Sequence, residues 1–389
     1  MIMPRTASLP LGLALVAATA LGAGPSRGQD PAGAAPSDSG LRFTALAVGG
    51  AHACGLTAEG AAYCWGGNAH GQLGDSSTTD RPAPVAVHGG LVFQALTAGE
   101  RHTCGVDADG YPYCWGDNEF GQSGTGASGA RSYPSRVQGR TRMKLMSAGA
   151  RHTCATIVHW ELEDRIFCWG NNAHGQLGNR ELRNSAAPAP VFGTVRYTSL
   201  AAGSRHTCAV NAAGHVLCWG ANERGQLGNG SVTNSNVPFP IRIGTRIRFS
   251  SVAVGEAHSC ALTTAGEAVC WGDNADGQLG INKAGGREMM PERLDRSIRF
   301  VALTAAGNTT CGLRADGVAY CWGSNAAGQF GAPAPAGAPA PIPVLGSLRL
   351  TALRLGPRGA CGLQEDGTAL CWGGGNGVRR VPAAREASR

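Results

Sequence analysis

Apolar and polar residues alternate in short runs along almost the whole chain. FTALAVG (43–49) has the period of two of a half-buried β-strand, and HACGLT (52–57) and AAYCWG (61–66) follow it. The turn Ala58-Glu59-Gly60 separates the last two runs, which predicts a tight hairpin. A loop-like stretch, GQLGDSSTTDRPA, then leads to PVAV (84–87), a fourth short strand. No segment carries a convincing helical period. In the third run of the next unit, Tyr113 and Trp115 point to one face and Cys114 to the other. Phe167, Cys168 and Trp169 repeat that arrangement. Both faces are apolar, so these strands are expected to be buried on both sides.

The four-strand pattern recurs. Fourteen cysteines fall into seven pairs: Cys54 and Cys64, Cys104 and Cys114, Cys154 and Cys168, Cys208 and Cys218, Cys260 and Cys270, Cys311 and Cys321, Cys361 and Cys371. Their first members are 50, 50, 54, 52, 51 and 50 residues apart, and a Trp follows every second cysteine. Six units continue into Gly-Gln-x-Gly, at 71–74, 121–124, 175–178, 225–228, 277–280 and 328–331, whereas the seventh reads WGGGNGVRR. A period of this length signals a propeller or a solenoid. One four-stranded unit cannot bury both of its faces, and neighbours must do so. The expected fold is therefore all-β: a seven-bladed β-propeller with four-stranded antiparallel blades. An open ring would expose two sheet edges. The shortened seventh unit leaves VRRVP (378–382) as a weak last strand, expected to pair with the first unit and lock the ring.

The pattern W-G-x-N-x-x-G-Q-L-G, then P-x-P-V, then A-x-G-x-x-H-[TS], resembles the regulator of chromosome condensation repeat. It stands here as WGGNAHGQLG (65–74), WGNNAHGQLG (169–178), WGANERGQLG (219–228) and WGDNADGQLG (271–280), with AGERHT (98–103) and AGSRHT (202–207). The resemblance covers about 41–382 and implies a seven-bladed propeller. It also implies a docking role. The family includes a nuclear exchange factor for a small GTPase, and a secreted bacterial propeller that inhibits β-lactamases through loops of one face. The chain departs from the family pattern in its paired cysteines, its N-terminal segment and its degraded last unit. It resembles the exported bacterial members.

The N-terminal segment MIMPRTASLPLGLALVAATALGAG holds one basic residue, Arg5, an apolar run from about Leu9 to Ala23, and Ala18-Thr19-Ala20. This predicts a secretory signal peptide over 1–23, with an uncleaved anchor helix as the alternative. Residues 24–40 are expected to be a flexible linker, 41–382 the propeller and 383–389 a C-terminal tail. The mature protein is expected to be a secreted or periplasmic monomer with no membrane span. Export argues against nuclear guanine nucleotide exchange, which the resemblance would otherwise carry over.

Charge adds little. The formal net charge is +7 over 389 residues, with lysine only at 144 and 283 and arginine dispersed. Without a basic run, no nucleic-acid partner is expected.

A spacing of ten across a three-residue turn places two cysteines opposite each other on antiparallel strands, close enough to bridge. The third hairpin, TIVHWELEDRIF (156–167), is longer, yet Cys154 and Cys168 still face each other. An even cysteine count in an exported chain favours one disulfide per blade. The alternative is metal: His52 with Cys54 and Cys64, and His102, His152, His206 and His258 in equivalent places. Thr309 and Gly359 break that series and no fourth ligand is evident, so neither metal nor cofactor is expected. No Cys-x-x-Cys pair suggests redox catalysis.

Residues common to the units should build the fold, and residues that differ should carry function. The histidines are expected to bond a neighbouring blade's backbone, the tryptophans to be core, and the Asn and Gly-Gln to shape turns. Variation concentrates just before the histidine position and between Asn and Gly-Gln. The candidate partner-binding residues are Arg101, Phe120, His174, Arg205 and Arg224, with Trp160 on the third-unit insertion. No nucleophile–base pair, carboxylate constellation or phosphate loop stands out. The expectation is a non-enzymatic protein-binding scaffold with an unidentified protein partner. A hydrolase or lyase site in the channel is the alternative.

Overall fold

A computed structural model of the chain describes residues 40–158, 165–244, 246–331 and 334–383. The N-terminal segment through Ser39, Trp160 and the last six residues lie outside them. Seven four-stranded sheets radiate from a central channel. Blade 1 consists of β1 (Ala45–Val48), β2 (His52–Leu56), β3 (Ala62–Gly66) and β4 (Arg81–Ala86), hydrogen-bonded in that order. Residues of β1 line the channel, and the other blades repeat the plan.

Within each blade the cysteines sit at directly paired positions of the second and third strands, as Cys54 opposite Cys64 in blade 1. All seven expected disulfides are present. Cys54 is bonded to Cys64, Cys104 to Cys114, Cys154 to Cys168 and Cys208 to Cys218. Cys260 is bonded to Cys270, Cys311 to Cys321 and Cys361 to Cys371. The Cα atoms are 4.1 Å apart in every pair, including the third, whose hairpin is longer.

The core lies between blades. The bridged Cys54 and Cys64 and Leu73 of blade 1 pack against Phe93 and Trp115 of blade 2. The same combination recurs at the fifth-to-sixth junction, where Cys260, Cys270 and Leu279 meet Phe300 and Trp322. Burying about 200 Å² of indole at about 25 cal/mol per Å² is worth at most about 5 kcal/mol. The Trp115 Nε1–H also donates to the Gln72 carbonyl at 2.9 Å, so its polar edge is satisfied. Gly74 lies against that ring at φ 71°, and a Cβ there would stand 2.7 Å from Trp115 Nε1. Both the backbone angle and the close approach require glycine at this point of the repeat.

Successive blades share a junction bond. Phe93 N–H donates to Gly60 O, Met143 to Gly110, Phe249 to Gly214, Phe300 to Gly266 and Leu350 to Gly317, at 2.8–3.0 Å. The ring closes the same way, with Phe43 N–H on Gly367 O at 2.8 Å. Phe43, Leu46, Ala53 and Trp65 pack there against Cys361, Leu363 and Ala369.

This corrects the expectation for 378–382. Blade 7 holds four strands of its own: β25 (Ala352–Gly356), β26 (Gly359–Leu363), β27 (Ala369–Gly373) and β28 (Asn376–Arg380). β28 pairs with β27, Arg379 opposite Cys371, and Val381 N–H donates to Ala369 O, all inside blade 7. The seventh unit lost its long loop, not a strand: Gly374 and Gly375 alone turn the chain from β27 into β28. Blade 1 likewise supplies all four of its own strands, so the segment is not needed to complete it.

Candidate functional site

The recurring histidines are tied into the frame through Nε2, while Nδ1 of each is buried without a hydrogen-bond partner among the described residues. His52 Nε2 lies 2.8 Å from Thr103 Oγ1 of the next blade, and Thr103 Oγ1–H donates to Gln72 O at 2.8 Å. The hydroxyl's one proton is thus committed, so it accepts from a neutral histidine protonated on Nε2. His102–Thr153, His152–Thr207, His206–Ser259 and His258–Thr310 repeat the bond at 2.8–2.9 Å. The partner is therefore a neighbouring side chain, not the neighbouring backbone as expected; the hydroxyl carries the link on to a carbonyl. Burial lowers the pKa of His102 and His152 to about 4, and of His52, His206 and His258 to about 3. Each cysteine that the metal alternative needed is joined to its pair, which removes that ligand set.

Around one mouth of the channel, short turns join the first and second strands of each blade. Backbone bonds link four neighbouring pairs of them: Gly50 N–H to Gly99 O, Ala150 to Gly203, Ser204 to Gly255 and Glu256 to Gly307. The long loops after the third strands lie beside them. Asn68 and Gln72 hold the first of these rigid: Asn68 Oδ1 accepts from Leu73 N–H, and Gln72 Oε1 accepts from His70 N–H. The variable residues thus project from a fixed frame.

Arg101, Phe120, His174 and Arg205 all line this mouth. Arg101 and Arg205 are exposed, Phe120 and His174 half-buried. The Arg151 guanidinium lies 5.1 Å from the centre of the Phe120 ring, a cation–π distance. His174 Nδ1 stands 3.5 Å from Glu223 Oε1. Partial burial raises the Glu223 pKa, but its own backbone, Asn234, Arg205 and His174 together bring it below the usual carboxylate value. Arg224, the neighbour of Glu223, lies outside the cavity wall and reaches toward Asp273 at 3.9 Å. Five of the six candidates therefore share one side of the ring, and Trp160 falls outside the described residues.

The channel encloses about 1330 Å³. Its wall includes Arg151, at a variable position before a histidine but outside the candidate set, and two arginines that the repeat pattern did not single out, Arg354 and Arg358. Arg358 occupies the turn position of Arg101 and Arg205, and aligning the units shows it. Arg354 sits in the strand run LTALRLG, where alternation alone gives no signal.

Seven four-stranded sheets around a channel, joined by a recurring hydrogen-bond frame, define a seven-bladed β-propeller. Family models described as "Regulator of chromosome condensation (RCC1) repeat" match residues 59–106, 109–156, 163–210 and 213–262, and also 43–72, 93–122, 197–226, 249–278 and 300–329. The chain belongs to this repeat family. A chain in the crystal structure of Kap60 bound to yeast RCC1 (Prp20) shares the fold, with a TM-score of 0.72 and 22% identity over 84% of this chain and 81% of that one. Human "Probable E3 ubiquitin-protein ligase HERC6" is 28% identical over 172 residues, 43% of this chain and 17% of its own length. The Arabidopsis thaliana "Ultraviolet-B receptor UVR8" is 28% identical over 173 residues, 43% of this chain and 39% of its own. The matched stretches thus span well under half of either relative.

Proposed function

We propose that the protein is an exported scaffold that binds a partner protein through the mouth of the channel formed by the first-to-second-strand turns. The carrying observation is the clustering there of Arg101, Phe120, His174 and Arg205, at positions that are not the same in all repeats, on loops whose invariant residues are spent on structure. Arginine and aromatic side chains on a rigid frame are the typical anchors of protein interfaces. Seven disulfides support export, because such bonds persist in oxidising compartments. The N-terminal apolar segment agrees with that location, and a monomer suits a ring that closes on itself. The relatives share a repeat that serves as a docking platform in the family, which supports binding as the role.

The test is capture by the full chain from the producer's secreted and periplasmic fractions, compared with a Phe120→Ala/His174→Ala/Arg205→Ala variant. Loss of a dominant partner from the variant is expected, with retention by Asp109→Ala on the opposite side of the ring. Equal capture by both variants would refute use of this mouth.

A further inference from the structure

The first strand of each blade places one residue opposite the first cysteine of its pair. In blades 1 to 6 these residues are Ala47, Thr97, Ser147, Ala201, Ala253 and Thr304. All are small. Three are consumed by the frame: Thr97, Ser147 and Thr304 each accept a backbone N–H from the next blade, at 2.9–3.2 Å. In blade 7 the residue is Arg354. An arginine has no acceptor to offer that bond, and alanine suffices at three of the other positions.

The Arg354 side chain lines the channel, exposed to its interior. Among the described residues its side chain makes one hydrogen bond, NH1 to the Leu353 carbonyl at 3.0 Å, from a group with five N–H donors. Burial lowers its pKa, and no neighbouring charge offsets that effect. A guanidinium on the wall of a channel, partly withdrawn from bulk water, pairs with an anion more strongly than one on an open surface. The charges at the mouth act in the same direction: Arg101, Arg151, Arg205 and Arg358 line the cavity along with Asp80, Glu100 and Glu256. With Arg354 included, positive charge is in excess, and low-dielectric walls focus its field into the channel.

We propose that Arg354 anchors an oxyanion site inside the channel, taking a carboxylate or phosphate group on its guanidinium fork. Planar bidentate pairing is the chemistry that arginine offers and lysine does not. The oxyanion comes either as a free small acid or as an acidic side chain that a docked partner inserts. The site differs in residue and depth from the rim proposed above and stands or falls separately from it.

The test is calorimetric titration of the oxidised full chain at low ionic strength with citrate, inorganic phosphate and hexaglutamate as probes. Binding of citrate or phosphate identifies a free acid, and binding of hexaglutamate alone identifies a delivered side chain. In either case Arg354→Ala should weaken Kd by about tenfold or more, and Arg354→Lys, which keeps the charge without the fork, by less. Because alanine stands at the equivalent position in three blades, Arg354→Ala should keep its melting temperature and all seven disulfides. The lysine variant provides a second comparison if it does not. No binding of any probe by the wild-type chain, or affinity unchanged in both variants, would overturn the proposal.

Discussion

Thr153 joins two blades through one hydroxyl. Its Oγ1 accepts from His102 Nε2–H at 2.9 Å and donates to Gln122 O at 2.9 Å, and both Thr153 and His102 are fully buried. Thr153→Val keeps the shape and removes both bonds. Gln122 O retains a donor, Trp169 Nε1–H at 2.9 Å, but His102 Nε2–H is left without an acceptor. An orphaned buried donor costs about 1–3 kcal/mol, and the lost bond to the carbonyl about 1 more, for a total of about 2–4 kcal/mol. Thr153→Ser removes one methyl and keeps the hydroxyl, at about 1 kcal/mol. Ser259 already fills this role at the fourth-to-fifth junction, bonded to His206 and to Gln226 O. The measurement is thermal unfolding of the oxidised chain, with amide exchange at the second-to-third-blade junction, since repeat rings can unfold in parts. A His102→Leu background should relieve most of the valine penalty, because no donor is then stranded. If Thr153→Val is no more destabilising than Thr153→Ser, the hydroxyl relay does not hold the blades together.

The same histidines set an acid limit. Their folded-state pKa values, about 3 to 4, lie below the ordinary 6.5, so the unfolded chain binds more protons between those values. The penalty is absent above pH 6.5 and grows as pH falls, by up to about 1.4 kcal/mol per pH unit for each histidine. Urea midpoints should therefore drop steeply below about pH 6, and His102→Leu should flatten the slope. Replacing Cys104 and Cys114 with alanine should cost about 2–3 kcal/mol by the loop-entropy relation, with exchange rates rising mainly at blade 2 and its interfaces. The closing seam should open first. It has Gly359 where five other junctions have histidine and Ala53 where those five have threonine or serine, and unlike the sixth-to-seventh junction, which also lacks the pair, it is flanked by a unit without the Gly-Gln loop. Arg42, bonded to Thr368 Oγ1 at 2.7 Å and 3.7 Å from Asp366, partly offsets this. Phe43 N–H should exchange faster than Phe93 or Phe300 N–H, and faster still in Arg42→Ala.

Much of the fold was legible because it is written seven times. Four alternating runs, a tight hairpin and a Cys–Cys–Trp spacing fixed the strand order, the register and the disulfides, from Cys54 with Cys64 through Cys208 with Cys218 and Cys311 with Cys321 to the last blade. The third hairpin showed that insertion spares the pair. Closure was misjudged because WGGGNGVRR reads as a truncated unit, when only its loop had shortened and NGVRR still forms a strand. The histidine partner was misplaced because the threonine that meets it stands about 50 residues away, and periodicity does not say which copies touch. Loop positions that vary between repeats picked out Arg101, Phe120, His174 and Arg205, which line one mouth of the channel. They did not lead to Arg354, since an arginine in a strand looks like an ordinary outward-facing residue until the channel is seen beside it.

Among the described residues, no strand, disulfide or hairpin of this ring is shared between repeats, and the seam is joined by the same backbone bond to a turn glycine as five other junctions. The choice of where the chain begins and ends is therefore structurally arbitrary to a first approximation. A circular permutant opened at Gly89-Gly90, where neither glycine has a neighbour within 4 Å of its Cβ position, would keep every blade intact. Such modularity also lets a single repeat be duplicated, exchanged or altered at its loops while its cross-link stays whole, so the surface of the ring can diversify one blade at a time.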